Sequence, residues 1–181
     1  VIRPGLITGP GDPSGRGGYW VARAARSDEP MLVPDIIDDA VQAIHVDDLV
    51  TFAIDGIEQQ RTGAFNAVGE HTTFGAWLER SRAIAGHAGE VVAASPEWLA
   101  EQGVAEWSGP DSLPLWIMDP EWHAFLDRSN EAALAAGLRL RPLDQLLSEL
   151  LDWEREQGLD RERRAGLDAA RERELVAALR G

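Results

Sequence analysis

Tyr19-Trp20-Val21-Ala22-Arg23 sets a phenol four residues ahead of a guanidinium, the spacing at which two side chains share one face of a helix. An arginine keeps its charge there, and by favouring the phenolate it would let Tyr19 exchange a proton. A second cluster, His45-Val46-Asp47-Asp48, puts an imidazole and two carboxylates within four positions. In a strand entering a helix these side chains diverge, and no second cluster supplies further metal ligands. Asp47 or Asp48 is expected instead to accept backbone N–H groups as a helix cap. His71, His87 and His123 stand alone. Gly5, Gly9 and Gly11 lack the spacing of a phosphate loop, and Pro10 and Pro13 remove two of the N–H donors such a loop needs. An ordinary turn is expected there.

What the sequence omits narrows the chemistry further. The chain has 181 residues, 31 acidic and 17 basic, a formal net charge of −14, 44% hydrophobic residues and no cysteine. This length and apolar content suit one ordinary domain with a real core. All 17 basic residues are arginine, so a Schiff-base lysine, a Walker lysine and a tyrosine–lysine relay are excluded within it. The missing cysteine removes disulfides, thiolate zinc sites and thiol nucleophiles, and it fits a reducing cytoplasm, the expected location. The acidic balance argues against nucleic acid or an anionic membrane as partner, because both need clustered positive charge. No apolar run approaches the ~20 residues that span a bilayer, and the start does not resemble a signal peptide.

Strands and helices alternate in the pattern of a mixed α/β class. Val1 to Thr8 reads as a short buried strand followed by the Gly9–Pro13 loop. A short helix is expected over Tyr19–Arg26, a strand at Met31–Val33 and another over Ala40–Val46. The helix that follows places Leu49, Phe52, Ala53 and Ile57 on one face. Gly63–Val68 alternates as a strand, Thr72 or Thr73 caps a helix bearing Phe74, Trp77, Leu78, Ile84 and Ala85, and Glu90–Ala94 is a strand leading into the Ser95-Pro96 helix start. Gly103 to Pro120 is expected as a structured loop; of the tryptophans in and around it, Trp98, Trp107, Trp116 and Trp122, a satellite core is favoured over a pocket wall. Pro142 opens a helix with a stripe of Leu143, Leu146, Leu147, Leu150 and Leu151. The charged run from Glu154 to Arg164 reads as a solvated face, and Leu167 to Leu179 as a last amphipathic helix.

Three segments carry a family resemblance. Arg3-Pro4-Gly5-Leu6-Ile7-Thr8-Gly9-Pro10-Gly11-Asp12 resembles the strand and loop that follow the catalytic helix of extended short-chain dehydrogenase/reductases, the NAD-dependent epimerase/dehydratase family. Gln42-Ala43-Ile44-His45-Val46-Asp47-Asp48-Leu49 is similar to that family's strand-to-helix segment, and Gly63-Ala64-Phe65-Asn66-Ala67-Val68-Gly69 to its Gly-x-x-Asn-x-x-Gly strand. Gly137–Leu143 and the helix after it look like the family's C-terminal close. The resemblance spans residues 1–157, with 158–181 a charged linker and C-terminal helix.

The resemblance implies the C-terminal part of a Rossmann-like fold, mixed short strands and helices without the N-terminal nucleotide-binding half. NAD or NADP would be the cofactor of the full-length protein and a small molecule its substrate. Backbone groups at Pro4, Gly5, Leu6 and Ile7 would face the nicotinamide end, and Arg16, Trp20 and Gln42 would line the substrate pocket. The family's catalytic tyrosine and lysine precede the strand that begins this chain, so Tyr19–Arg23 stands in the wrong order to be that pair, and no catalytic residue is assigned. The chain is therefore expected to be the substrate-binding portion of an oxidoreductase or epimerase/dehydratase acting on a carbonyl, hydroxyl or sugar-nucleotide substrate, inactive alone. A non-catalytic binding module on the same half-fold is the alternative. Without its nucleotide-binding partner half, such a piece exposes an apolar face, which predicts self-association as a homo-oligomer or a retained N-terminal piece.

Overall fold

The computed structural model describes residues Val1–Gly181. Its first strands, β1 (Ile2–Pro4) and β2 (Leu6–Thr8), belong to one extended run that changes neighbours at Gly5. β1 runs parallel to β6 (Phe65–Ala67), with Arg3 opposite Asn66, whereas β2 runs parallel to β5 (Ala43–His45), with Ile7 opposite Ile44. The elements between them are α1 (Tyr19–Arg26), β3 (Met31–Pro34), β4 (Ala40–Val41) and, after β5, α2 (Val46–Glu58). Then come β7 (Thr72–Thr73), α3 (Phe74–Ala85), β8 (Val91–Ala94) and α4 (Pro96–Glu101). β3 pairs with β8 in parallel and β4 with β7 antiparallel. The 103–120 segment contains two-residue strand bridges, Ala105–Glu106 with Ser112–Leu113 and Gly109–Pro110 with Ala165–Gly166. Short helices α5 (Pro120–His123) and α6 (Glu131–Ala135) precede α7 (Leu143–Gln157) and α8 (Ala169–Arg180).

The main core has α1, α3 and α7 packed on one another, with β3 and α8 against them. Trp20 of α1 sits edge-on to Phe74 of α3 at 5.1 Å, and Leu146, Leu147, Leu150 and Leu151 supply the buried stripe of α7. A smaller cluster, Ile44, Phe52, Ala67, Ala133 and Leu138, fills the space between β5, β6, α2 and α6. Caps fall largely where expected: Thr73 accepts from Ala76 N–H, and Ser95 from Trp98 N–H ahead of Pro96.

Three local expectations are corrected. The α2 cap is His45, whose Nδ1 accepts the Asp47 N–H at 3.1 Å, because the helix begins at Val46, two residues earlier than a cap at Asp47 would allow. Ile57 is 77% exposed, along with Val50 and Ile54, because only the Phe52 side of α2 meets the small cluster. The 154–164 run is not a solvated face throughout: Glu154 is buried, and Arg161 and Arg163 bond its carboxylate at 3.1 and 2.6 Å.

Residues 158–181 dock. Leu167, Leu175 and Val176 enter the main core, and buried Glu172 accepts from Arg23, from Arg26 at 2.9 Å and from the Leu32 N–H at 3.0 Å. The Tyr19 hydroxyl accepts the Leu167 N–H at 3.3 Å, and a Cβ on Gly166 would overlap the Tyr19 ring, so only glycine fits there. No helix is long and apolar enough to cross a membrane.

Candidate active site

The turn from Gly9 to Gly18 brings the candidate residues to the open side of β2. Asp12 holds the turn by accepting the Ser14 N–H and hydroxyl at 2.7 and 2.6 Å. Gly17 packs so tightly that a Cβ would overlap the Thr8 hydroxyl, which pins the turn to the strand. Between the turn and the 106–125 segment lies a cleft of 610 Å³, lined among others by Gly5, Ile7, Asp12, Arg16, Trp107 and Phe125. This volume is within the range of small-molecule sites.

Arg16 is stacked in the cleft wall, its guanidinium carbon 4.6 Å from the centroid of the Trp107 ring, and Trp107 meets Phe125 edge-on at 5.5 Å. The Nε of Arg16 is buried without a hydrogen-bond partner, as is Oδ2 of Asp12. A buried donor left unmade costs roughly 1–3 kcal/mol, which a hydrogen-bond partner at this atom would recover. Trp122 stands at the rim with 62% of its surface exposed. The tryptophans thus divide: Trp116 is core and Trp98 packs partly against it, while Trp107 and Trp122 form a pocket wall.

The structure brings Gly5, Leu6, Ile7 and Arg16 together in this cleft. Pro4 lies one residue outside its lining, exposed on β1. Trp20 and Gln42 are placed elsewhere. Trp20 is fully buried and its Nε1 donates to the Pro114 carbonyl at 2.9 Å. Gln42 is a clamp: its Oε1 accepts the Arg128 N–H at 2.7 Å, and its Nε2 donates to the Arg128 carbonyl at 3.0 Å. For Trp107 and Trp122 the pocket wall was the less favoured reading, and Asp12 and Phe125 were not singled out, because the 106–125 segment reaches the turn only through tertiary packing. The Asp12-Pro13-Ser14 turn chemistry was the available signal.

Tyr19 and Arg23 do not make a proton relay. Burial, and then the nearby Glu172 carboxylate, push the Tyr19 phenol well above its ordinary range. The Arg23 guanidinium is spent on Glu172 and on the carbonyls of Glu29 and Pro30 at 3.0 and 2.9 Å. His45 is held neutral by burial and by the Arg141 guanidinium, which lower its pKa, and this suits its cap role, since only a neutral Nδ1 can accept.

The turn suits the two ends of a dinucleotide unequally. For the pyrophosphate it does not fit. The turn leads into the N-terminus of α1, behind Gly15, Gly17 and Gly18, and a Cβ on Gly18 would overlap the Glu154 carboxylate packed there. The fit is better for a flat ring along Gly5–Ile7. Ile7 is 38% exposed between buried Leu6 and Thr8, and it gives the cleft an open apolar floor beside strand backbone.

No family model matches the chain, and no curated protein matches it. Solved structures do. RMD from Pseudomonas aeruginosa complexed with NADPH is 20% identical with a TM-score of 0.56, over 86% of this chain and 47% of that one. UDP-glucose 4-epimerase from Thermotoga maritima with UDP-glucose is 19% identical with a TM-score of 0.56, over 87% and 46%. The dTDP-glucose 4,6-dehydratase from Bacillus anthracis with NAD is 12% identical with a TM-score of 0.53, over 86% and 44%. The chain thus spans about half the length of the structures it matches. Its fold is a partial extended short-chain dehydrogenase/reductase fold, matching a little under half of each of these structures.

Proposed function

We propose that the chain is the substrate-binding portion of an NAD(P)-dependent oxidoreductase or epimerase/dehydratase, acting on a carbonyl, hydroxyl or sugar-nucleotide substrate in the cleft beside β2. The observation that carries this reading is the convergence of Gly5–Ile7 and Arg16 on one 610 Å³ cleft walled by Trp107 and Phe125. Gly5, Leu6 and Ile7, with Pro4 at the edge, would hold the nicotinamide end of the dinucleotide, which supplies a hydride acceptor or donor when bound. Arg16 orients the substrate through its free N–H groups, and the aromatic wall excludes water from the reacting carbon.

The pyrophosphate and the proton relay fall to a nucleotide-binding half, because the turn here does not accept a phosphate and Tyr19 is buried with a raised pKa. The choice between NAD and NADP rests with that half too. Residues 1–181 alone are expected to show no NADH-dependent carbonyl reduction. Fused or mixed with a nucleotide-binding half, they are expected to give an active enzyme whose KM rises on Arg16→Gln. Tight NADH binding and unaided carbonyl reduction by residues 1–181 would overturn this division of labour.

A further inference from the structure

We infer that the cleft takes a ligand with an apolar or aromatic body and a single anionic group, the anion seated on Arg16, which narrows the proposed substrates to carbonyl or hydroxyl compounds of that kind and disfavours the diphosphate-bearing sugar nucleotides. This rests on reading the cleft as the substrate site. Its charge pattern is specific. Of the lining residues, Arg16 is the one cation, against the carboxylates of Asp12 and Glu106. Glu106 is occupied by the Met118 N–H, and Asp12 by Ser14 through one oxygen.

Arg16 differs from the arginines of the C-terminal segment. Arg161 and Arg163 are both paired to Glu154, whereas no carboxylate pairs with Arg16. Stacking on Trp107 uses the face of the guanidinium and leaves the in-plane N–H groups free, the geometry that grips a carboxylate with two parallel bonds. One such group balances one negative charge. A diphosphate brings at least two into a site that already holds two carboxylates, in a chain of net charge −14. Apart from Gly5 and Ser14, whose hydroxyl is held by Asp12, the rest of the lining is apolar, and Ile7, Trp107, Ile117, Trp122 and Phe125 give a planar or hydrocarbon body its contact area.

The test uses residues 1–181 and three probes, phenylpropionate, its neutral amide and UDP-glucose, with tryptophan fluorescence and calorimetry as readouts. Phenylpropionate is expected to quench saturably and to bind about tenfold or more tighter than the amide, a difference that Arg16→Gln erases and Arg16→Lys keeps in part. Equal affinity for acid and amide, or tighter binding of UDP-glucose, would overturn the single-anion inference and leave the cleft as substrate site. Failure of all three probes to bind would overturn both readings. Should Arg16→Gln not fold by circular dichroism, the acid-to-amide ratio in the unaltered chain decides.

Discussion

Asp48 accepts three N–H groups from Arg141: the backbone N–H at 3.0 Å, Nε at 3.1 Å and Nη2 at 2.9 Å. The pair ties the first turn of α2 to the residues that open α7, 93 positions away in sequence, and both side chains are 13% exposed. Removing the carboxylate leaves a mostly buried guanidinium with only part of its partners. Asp48→Ala is expected to cost about 3 kcal/mol in urea unfolding, and Asp48→Asn less, because it keeps one acceptor oxygen.

The Glu172 carboxylate gives the second prediction. It bonds Arg23, Arg26 and the Leu32 N–H from inside α8, and its side chain is 3% exposed. Glu172→Ala leaves Arg23 buried and uncompensated, so a loss of roughly 3–5 kcal/mol is expected, with α8 released to protease before the rest of the chain. Cleavage at an unchanged rate would show that the helix is held by Leu175 and Val176 alone.

Gly69 closes the Gly-x-x-Asn-x-x-Gly strand, and a Cβ there would overlap the backbone carbonyl of Ala43. Neither neighbour is a flexible side chain, so relief requires β5 to move. Gly69→Ala is expected to lower stability by about 3 kcal/mol or more and to reduce soluble yield, whereas Gly11→Ala, with open space around it, is strained only by its φ of +84°.

His45 and His87 define the pH response. Both have lowered pKa values, His45 by burial and then Arg141, His87 by burial foremost with Arg82 also lowering it. Below the unfolded value near 6.5 the unfolded chain binds protons that the folded chain refuses. Their contribution is therefore complete above about pH 6.5 and is lost as pH falls from there toward the folded pKa values. A melting temperature that drops between about pH 7 and 5, and drops less in His45→Asn, is the expected outcome. An identical acid profile in the variant would remove His45 from this account.

Tyr19→Phe removes one acceptor for the Leu167 N–H and should destabilise by about 1 kcal/mol. In an enzyme assembled with its nucleotide-binding half, turnover should survive the change. Abolished turnover with an intact fold would restore Tyr19 as a catalytic group.

Much of this was legible because local chemistry and tertiary demand agree in particular places. Thr73 and Ser95-Pro96 mark helix starts by their own hydrogen bonding, and the leucine stripe of α7 has one face to bury. Gly5, Leu6 and Ile7, expected at the nicotinamide end, and Arg16, expected in the substrate pocket, line one cleft because the Gly9–Gly18 turn folds back over β2. Long-range partners were not legible. Trp20 and Gln42 went to Pro114 and Arg128, 94 and 86 residues away, and nothing beside them in sequence announces those partners. Glu154 looks solvated in a charged run and Glu172 is one of several charges on an amphipathic helix, and only pairing with arginines allows them inside.

One of those buried carboxylates has a wider consequence. Glu154 lies against Gly18, at the positive end of α1, with Arg161 and Arg163 closing over it. The fold has its own resident counter-ion where a glycine-rich helix start would otherwise recruit a phosphate from solution. A phosphate from solution would meet a carboxylate at the α1 end of the turn, where the helix's positive end is already answered from within the chain.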